Sequence, residues 1–426
     1  MAAGGQVCRR GGQRPAQTHG WTLAERAGDR TPDRMQRLLN RAVWDTFAAM
    51  GVVRGFAVAG LDRAARTAGR RGGLAVGAID ETGQVKQGTR SAGVKRHYLG
   101  CAGKVANGIT TVHLAYVREK TGHALIAARQ WIPAEYLDDP AASLVMGLPQ
   151  DLAFRTKGQL AIDLLAEAFA DGIRLDFVCG DEVYGSCTQL REFCEARGQG
   201  YVLRVPSNFR LALARGVKLS CTQAAAALLA SSRCWEVRSA GPGSKGHRWY
   251  AWAWAATISP RHYLLIRRHR LTGELAFCYC YVPEGQAASL SQLIRAAGLR
   301  WPVEESFQFS KECFGPGQSQ VRLYTAIARH TVLVMAAPAI SAVTAALLRG
   351  RSRTQAPAPV RPGQPPPANP GMTPLTVPQI SRLLTHPPPP GTIPHWLDWR
   401  RRHQARSAWY HQRKRLARDN QITLVR

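Results

Sequence analysis

Two apolar segments of the sequence each run into an acidic residue, and this limits strongly how the chain can fold. The first, residues 71–80, ends on Asp80, and the second, residues 176–180, is followed by Asp181. Both have the length and apolar content of buried strands. A carboxylate at the end of a buried strand is costly to desolvate unless it has a partner. If the strands are neighbours, both carboxylates lie at one edge of a sheet, where ligands commonly bind.

Two such carboxylates repel each other, so a divalent cation is their natural partner. Magnesium accepts a few carboxylate ligands and keeps water and phosphate oxygens for its other positions. The chain has only 28 acidic residues, yet acidic doublets occur at Asp80–Glu81, Asp181–Glu182 and Glu304–Glu305. A fourth doublet, Asp138–Asp139, precedes a proline and predicts a solvated turn.

The third doublet lies in a segment with helical spacing, "LRWPVEESFQFSKECFG". On one helix, Arg300, Glu304 and Lys311 would fall within about 60° of one another. An acid flanked by two cations on one face could hold a metal ion and phosphate groups together. A stripe of surface ion pairs is the alternative interpretation.

The charge of the chain indicates a nucleic-acid partner. There are 57 Lys and Arg residues, and the formal net charge is +29. Each phosphate that a basic protein contacts releases a condensed counterion, so such chains commonly bind nucleic acid. A coding bias that enriches Arg, Ala, Gly and Pro is the alternative.

The ten cysteines include no CxxC pair, which argues against a zinc site or disulfides and favours a reducing cytoplasm.

One apolar segment, Thr331 to Leu348, has no charged residue and approaches the length of a membrane span. It is rich in alanine and contains Pro338, so we interpret it as a buried helix against a sheet and expect no membrane partner. The first twelve residues have no apolar core of a signal peptide after their basic residues.

The order of the patterns predicts a mixed α/β fold with additions. Three strands precede alternating strands and helices. We expect a disordered N-terminus (1–27), a helical DNA-binding region (28–70), the first part of the core (71–206), a β-rich insertion (207–286), the second part of the core with the helix of Glu304 (287–350), a proline-rich linker (351–372) and a basic C-terminal tail (373–426).

Two of these regions carry basic residues suited to DNA. In the helical region, Arg30, Arg34, Arg37 and Arg41 recur every three or four residues, which fits contact with a DNA backbone or an ordinary solvated face. In the tail, basic residues alternate with tryptophan and tyrosine, a composition that suits stacking on nucleic acid. The basic residues that we select there are Arg400, Arg401, Arg402, Arg413, Lys414 and Arg415.

Three blocks of the sequence, "AIDETG", "VCGDEVYG" and "GLRWPVEESFQFSK", resemble the catalytic blocks of DDE transposases from bacterial insertion sequences. The best resemblance is to the IS seven-oh-one family, and it extends over roughly residues 20–418. It departs at Ala297, where the superfamily signature has a tyrosine. The resemblance implies that the two core parts form an RNase H-like domain, interrupted by the β-rich insertion.

The resemblance also implies roles for particular residues. Asp80, Asp181 and Glu304 would be the catalytic ligands of magnesium or manganese, with two ions expected. Arg300 and Lys311 would contact DNA phosphate. Tyr184 would lie against DNA or serve in packing. The neighbouring acids, Glu81, Glu182 and Glu305, would have secondary roles.

The sequence therefore predicts a transposase that cleaves DNA strands and transfers them, with a divalent metal. Its partners would be the terminal inverted repeats of the element and a target DNA, bound by a dimer in the bacterial cytoplasm near the nucleoid. Two alternatives stay open. One is an inactive remnant that only binds DNA, and the other is an RNase H-like nuclease without strand transfer.

Overall fold

The computed structural model describes residues 24–424, except residues 26, 70–71, 214–215, 230–231, 244–245, 315–316, 318, 320, 350–355 and 386–388. Most of the N-terminal segment predicted to be disordered, residues 1–23 and 26, lies outside the described residues. So do residues 351–355 of the proline-rich segment and the last two residues of the chain.

Among the described residues, ten strands form one mixed sheet in the order β2-β3-β1-β5-β6-β12-β11-β10-β9, and β4 also pairs with β3. A separate two-stranded sheet consists of β7 and β8. The strands are β1 Ala75–Val85, β2 Lys95–Leu99, β3 Lys104–Arg118, β4 Gly122–Trp131, β5 Phe177–Gly180, β6 Tyr201–Val205, β7 Arg210–Ala212, β8 Lys218–Ser220, β9 Glu236–Gly243, β10 Gly246–Ala256, β11 His262–His269 and β12 Leu275–Tyr281.

Helices cover the sheet and connect its parallel strands. They are α1 Asp33–Asn40, α2 Thr46–Thr67, α3 Ala134–Leu137, α4 Pro140–Met146, α5 Lys157–Ala170, α6 Glu182–Gly185, α7 Thr188–Glu195, α8 Cys221–Leu229, α9 Leu290–Gly298, α10 Pro302–Phe314, α11 Tyr324–Arg349, α12 Val377–Thr385 and α13 Ile393–Leu424.

The centre of the sheet has the arrangement predicted for the core. Strands β3 and β1 are antiparallel, whereas β1, β5 and β6 are parallel to one another. Helix α5 leads into β5, and α7 connects β5 to β6, which gives the expected alternation of strands and helices. The mixed α/β fold class is therefore confirmed, and it is consistent with an RNase H-like core.

The β-rich segment after β6 continues the same sheet. Strand β12 pairs antiparallel with β6, and β11, β10 and β9 follow in antiparallel order. One face of these strands contributes Leu265, Cys278 and Cys280 to the main core beside α9. The other face packs on α8 and the small sheet through a second cluster that includes Leu264, Ile266 and Phe277.

The apolar segment predicted to be a buried helix forms part of α11. This helix is long and apolar enough to cross a membrane by length and composition, and half of its most apolar window is buried in the molecule. It packs on α2 and β4, with Met335 and Ala339 fully buried. Its partner α2 belongs to the predicted N-terminal DNA-binding region. In the α1 segment of that region, Arg34, Arg37 and Arg41 are exposed.

The C-terminal segment folds on itself. The backbone N–H of Ala356 donates to the carbonyl of Pro370 (3.0 Å), so the proline-rich residues turn back instead of extending. Within α13, Ala405 and Trp409 are buried. Helix α12 packs against α10 and α11, which connects this segment to the core.

Candidate active site

The register of two parallel strands places Asp80 and Asp181 side by side. Ala78 of β1 is the partner of Cys179 in β5. Two residues further along, Asp80 and Asp181 are therefore level, and their side chains point to the same face because side chains alternate along a strand. Asp181 directly follows β5, as predicted, and its Oδ1 accepts a hydrogen bond from the backbone N–H of Val183 (2.9 Å).

Asp80 does not end its strand, and this part of the sequence prediction is wrong. Strand β1 continues to Val85 because β3 pairs with it along its whole length. The parallel partner β5 stops at Gly180, so among the described residues β1 has no strand partner on that side from about Asp80 onward. The carboxylate of Asp80 is thus held by a continuous strand, and that of Asp181 by the strand end next to it.

Arg300 connects Asp80 to Glu304. One terminal nitrogen of its guanidinium donates to Asp80 Oδ2 at 3.1 Å, and the other donates to Glu304 Oε1 at 2.5 Å. Glu304 lies in the first turn of α10. Arg300 lies in the turn before this helix, so the predicted common helix face does not include it. Through this turn the structure nevertheless brings Arg300 into contact with both Asp80 and Glu304.

Burial dominates the electrostatics of the site. Burial raises the pKa of Asp80 to about 6, against the opposing attraction of Arg300. Burial also raises the pKa of Asp181, and the nearby carboxylate of Glu81 adds to the effect. Burial alone would lower the pKa of Arg300, but Glu304 and Asp80 raise it above its usual value. One guanidinium thus faces three carboxylates, and the surplus negative charge favours a bound cation.

Glu81, the residue after Asp80 in β1, has two hydrogen-bond partners. Its carboxylate accepts from the hydroxyl of Tyr184 at 2.6 Å and from Lys157 Nζ at 2.5 Å. Tyr184 is fully buried, so we assign it the packing role rather than the DNA contact. The sequence analysis did not select Lys157 as a site residue. The sequence does contain a signal for the start of its helix, because Thr156 and Gln159 form a capping box and Lys157 is the first residue of α5.

The other two neighbouring acids have partners of their own. Glu182 forms an ion pair with Arg204 (3.1 Å), and both side chains are partly exposed. Glu305 lies 3.5 Å from His123 Nε2, and the hydrogen bond from that imidazole holds the pKa of Glu305 below its usual value. These contacts give Glu182 and Glu305 roles separate from the Asp80–Asp181 pair.

Lys311 lies on α10 seven residues after Glu304, about 10 Å along the helix axis and on the same side. Its side chain is exposed, and no ion pair of Lys311 occurs within the described part of the chain. Near it, burial lowers the pKa of His113 to about 3, and the charge of Lys311 contributes to that shift.

The basic residues selected in the tail lie on α13. The partners found for them belong to the C-terminal segment itself. Arg401 donates to the carbonyl of Thr373 (2.7 Å), Arg402 pairs with Asp398 (2.8 Å) and Arg413 donates to the carbonyl of Gln364 (3.1 Å). Arg400 stacks over Trp396 at 5.2 Å, Arg415 is partly buried and Lys414 is exposed.

The carboxylates suit a hard divalent cation by their chemistry, since Mg²⁺ and Mn²⁺ prefer oxygen ligands. Asp80 and Asp181 lie level on neighbouring strands, and Arg300 engages both Asp80 and Glu304. Across the described ranges, no three His, Cys, Asp or Glu side chains are grouped closely enough to hold an ion as they stand. The oxygen donors of Asp80, Asp181 and Glu304 are of the type that such an ion takes, and Arg300 holds Asp80 and Glu304 in the arrangement described here.

Two protein families match parts of the chain that contain these carboxylates. Residues 21–219 match a family described as DDE superfamily endonuclease, and this stretch contains Asp80 and Asp181. Residues 146–337 match a family described as transposase DDE domain, and this stretch contains Asp181 and Glu304. A search of curated proteins found no match to the chain.

Proposed function

We propose that this chain, whose two family matches support a transposase or endonuclease of the DDE superfamily, is the transposase of a bacterial insertion sequence of the IS seven-oh-one type. Its reaction is the cleavage of DNA strands and their transfer to a target. The observation that carries this proposal is the level placement of Asp80 and Asp181 on parallel strands, with Glu304 tied to Asp80 through Arg300.

In this proposal, Asp80, Asp181 and Glu304 are the catalytic residues and hold divalent magnesium or manganese, with two ions expected. A divalent ion, when bound, would activate water or a 3′-hydroxyl and stabilise the leaving oxygen in an in-line displacement at phosphorus. The two strands fix Asp80 and Asp181 accurately, because a ligand on a strand is positioned better than one on a loop.

Arg300 has a second task in the proposed reaction. Its planar guanidinium matches a phosphate group as well as a carboxylate. DNA phosphate that enters the site would draw Arg300 away from Glu304, and the freed carboxylate would complete the ligand set. Lys311 would hold phosphate further along the same strand. Both cations would stabilise charge that develops on the phosphoryl oxygens.

The proposed substrate is double-stranded DNA at the ends of the element and at the target. The surplus of positive charge supports a phosphate-rich partner, and transposase domains act on DNA. The exposed arginines of α1 and the basic residues of α13 are the proposed contacts outside the site. We place the protein in the bacterial cytoplasm, at the nucleoid, where its substrate is found.

A second candidate is an endonuclease without strand transfer, which the description of the first matching family favours. The test is incubation of the purified protein with labelled DNA that carries the sequences flanking its gene, together with a circular acceptor, in Mg²⁺ or Mn²⁺. A transposase gives cleaved ends and joined products. An endonuclease gives cleavage alone, and an inactive remnant binds the DNA without cutting it.

A further inference from the structure

A cation stands at the level of the catalytic carboxylates on the next strand of the sheet. Gly180 of β5 pairs with Leu203 of the parallel strand β6. The residues that follow, Asp181 and Arg204, are therefore level. The side chain of Arg204 is 35% exposed, and its ion pair is with Glu182.

A second arginine follows on the same face of the sheet. Arg204 is the partner of Cys278 in β12, and Cys278 is the partner of Leu265 in β11. Arg267 comes two residues after Leu265, so it points to the same face, nearer the edge at which Asp181 lies. Its guanidinium stacks over the ring of Tyr250 at 4.6 Å.

The electrostatic surroundings of Cys278 agree with the placement that the strand register gives these cations. Burial raises the pKa of its thiol, and the charges of Arg204, Arg267 and Arg300 oppose that rise. The guanidiniums from β6, β11 and the turn before α10 are thus all near enough to act on one buried side chain.

A third arginine, Arg248, extends the series to β10. Trp252 of β10 is the partner of Arg267, and Arg248 lies four residues before Trp252, so it shares this face. Its guanidinium donates to the carbonyl of Gly298 at 2.9 Å and lies 5.9 Å from the ring of Trp301. It therefore stands beside the turn that carries Arg300.

These three residues, Arg204, Arg248 and Arg267, are here called the arginine row. Each has a buried Nε atom without a hydrogen-bond partner among the described residues. An unpartnered buried donor costs free energy, and a planar guanidinium with free donors matches phosphate. Within the described ranges, the ion pair found for the row is that of Arg204 with Glu182. The carboxylates of Glu304 and Glu305 also act on Arg248, so the fold compensates the positive charge of the row only in part.

We propose that the arginine row binds the phosphates of one DNA strand on the side of the catalytic carboxylates that faces β10. Four strand spacings separate β5 from β10, which is about 19 Å. A DNA strand rises about 3.4 Å per nucleotide, so the stretch from the carboxylates beside β5 to Arg248 on β10 spans about five or six nucleotides. This assignment rests on the proposed function, which identifies the nucleic acid as DNA. It adds that the bound strand runs from the carboxylates toward β10.

The chain offers a matched control for this proposal. Arg268 is the next residue of β11 and points to the opposite face. It stacks over Trp235 at 4.7 Å, much as Arg267 stacks over Tyr250. Arg267→Gln and Arg268→Gln therefore remove the same charge and a similar stacking contact from opposite faces of one strand.

The experiment measures the affinity of the full chain for a short mixed-sequence DNA duplex over a range of salt concentrations, without divalent metal. Each lost phosphate contact should reduce the slope of log affinity against log salt by about 0.9. We expect Arg267→Gln to show that change with a roughly tenfold weaker affinity at moderate salt, and Arg268→Gln to behave as wild type. Arg267→Lys, which keeps the charge, should retain the slope and serves if Arg267→Gln does not fold.

A phosphate-interference footprint on cleavable DNA then tests the direction. Arg204→Gln and Arg267→Gln should lose interference at phosphates on one side of the cut, within about five or six nucleotides. Equal slopes for Arg267→Gln and Arg268→Gln, or a footprint unchanged in the row variants, would overturn the proposal. A chain that binds through the row but never cuts DNA would instead contradict the proposed function and leave the row assigned.

Discussion

Replacing Asp80, a proposed catalytic carboxylate, should make the metal-free protein more stable. Burial raises the pKa of Asp80 from 3.8 to about 6, so the folded protein binds this proton more tightly than the unfolded chain does. The group therefore contributes its full stability below pH 4, and that contribution is lost as the pH rises through 6. A shift of about two pKa units corresponds to about 3 kcal/mol, because each unit is worth about 1.4 kcal/mol.

Asp80→Asn removes this cost, since asparagine resembles the protonated carboxyl group in shape and charge. Above pH 7 we expect the variant to be more stable than wild type by up to about 3 kcal/mol. For a chain of this length, that gain raises the apparent melting temperature by about 3 °C. Arg300 keeps its contact with Glu304, so the variant does not leave this cation unpaired.

The assay is thermal or urea unfolding of both proteins from pH 4 to pH 8 in the presence of a chelator. The difference in stability should be largest near pH 8 and vanish near pH 4. Asp138→Asn, at an exposed aspartate, is the control and should give no such trend. A variant that is less stable than wild type at pH 8, or a difference that does not change with pH, would refute the reasoning about burial at Asp80.

Three further predictions concern the surroundings of the site and the tail. Arg300→Ala should slow DNA cleavage about 100-fold or more in a single-turnover assay, and Arg300→Lys should have an intermediate rate. A wild-type cleavage rate for Arg300→Ala would show that the contacts with Asp80 and Glu304 are only structural. Tyr184→Phe should lower the free energy of unfolding by about 1 kcal/mol through loss of its hydrogen bond to Glu81, measured by urea unfolding, and an unchanged value would contradict that contact. Removal of residues from Trp396 onward should weaken DNA binding in a gel shift and leave the melting temperature of the core unchanged, whereas a fall of several degrees would make α13 part of the core.

The sequence was sufficient to predict the central pair of the site. Apolar runs that end in Asp80 and Asp181 indicate two buried strands, and their parallel pairing then makes the carboxylates level. The end of the first strand was misplaced because Thr82 and Gln84 are polar. Their strand conformation depends on the pairing of β1 with β3, which lies far away in the sequence.

Local patterns also misplaced Arg300 relative to the helix. Helical spacing put it on the face of Glu304, yet α10 begins at Pro302. Proline favours the first position of a helix, so the signal for this boundary was present. The bridge that Arg300 makes to Asp80 joins residues 220 positions apart, and no local pattern encodes such a contact.

Long-range pairing explains the remaining differences. The aromatic and β-branched segments predicted antiparallel strands after residue 207, and these strands exist. Their continuation of the core sheet depends on the pairing of β12 with β6, which periodicity does not specify. The same holds for the contact of Lys157 with Glu81, since a helix start and a strand interior meet there only in the folded chain.

The central claim is that Asp80, Asp181 and Glu304 act together in metal-dependent cleavage of DNA. Its most direct test compares Asp181→Asn with Glu182→Gln, the adjacent acid that pairs with Arg204 instead. Cleavage of labelled end DNA in Mg²⁺ or Mn²⁺ is measured together with binding by gel shift. We predict that Asp181→Asn binds DNA as well as wild type or more tightly and does not cut it, while Glu182→Gln still cuts. Normal cleavage by Asp181→Asn would contradict the claim.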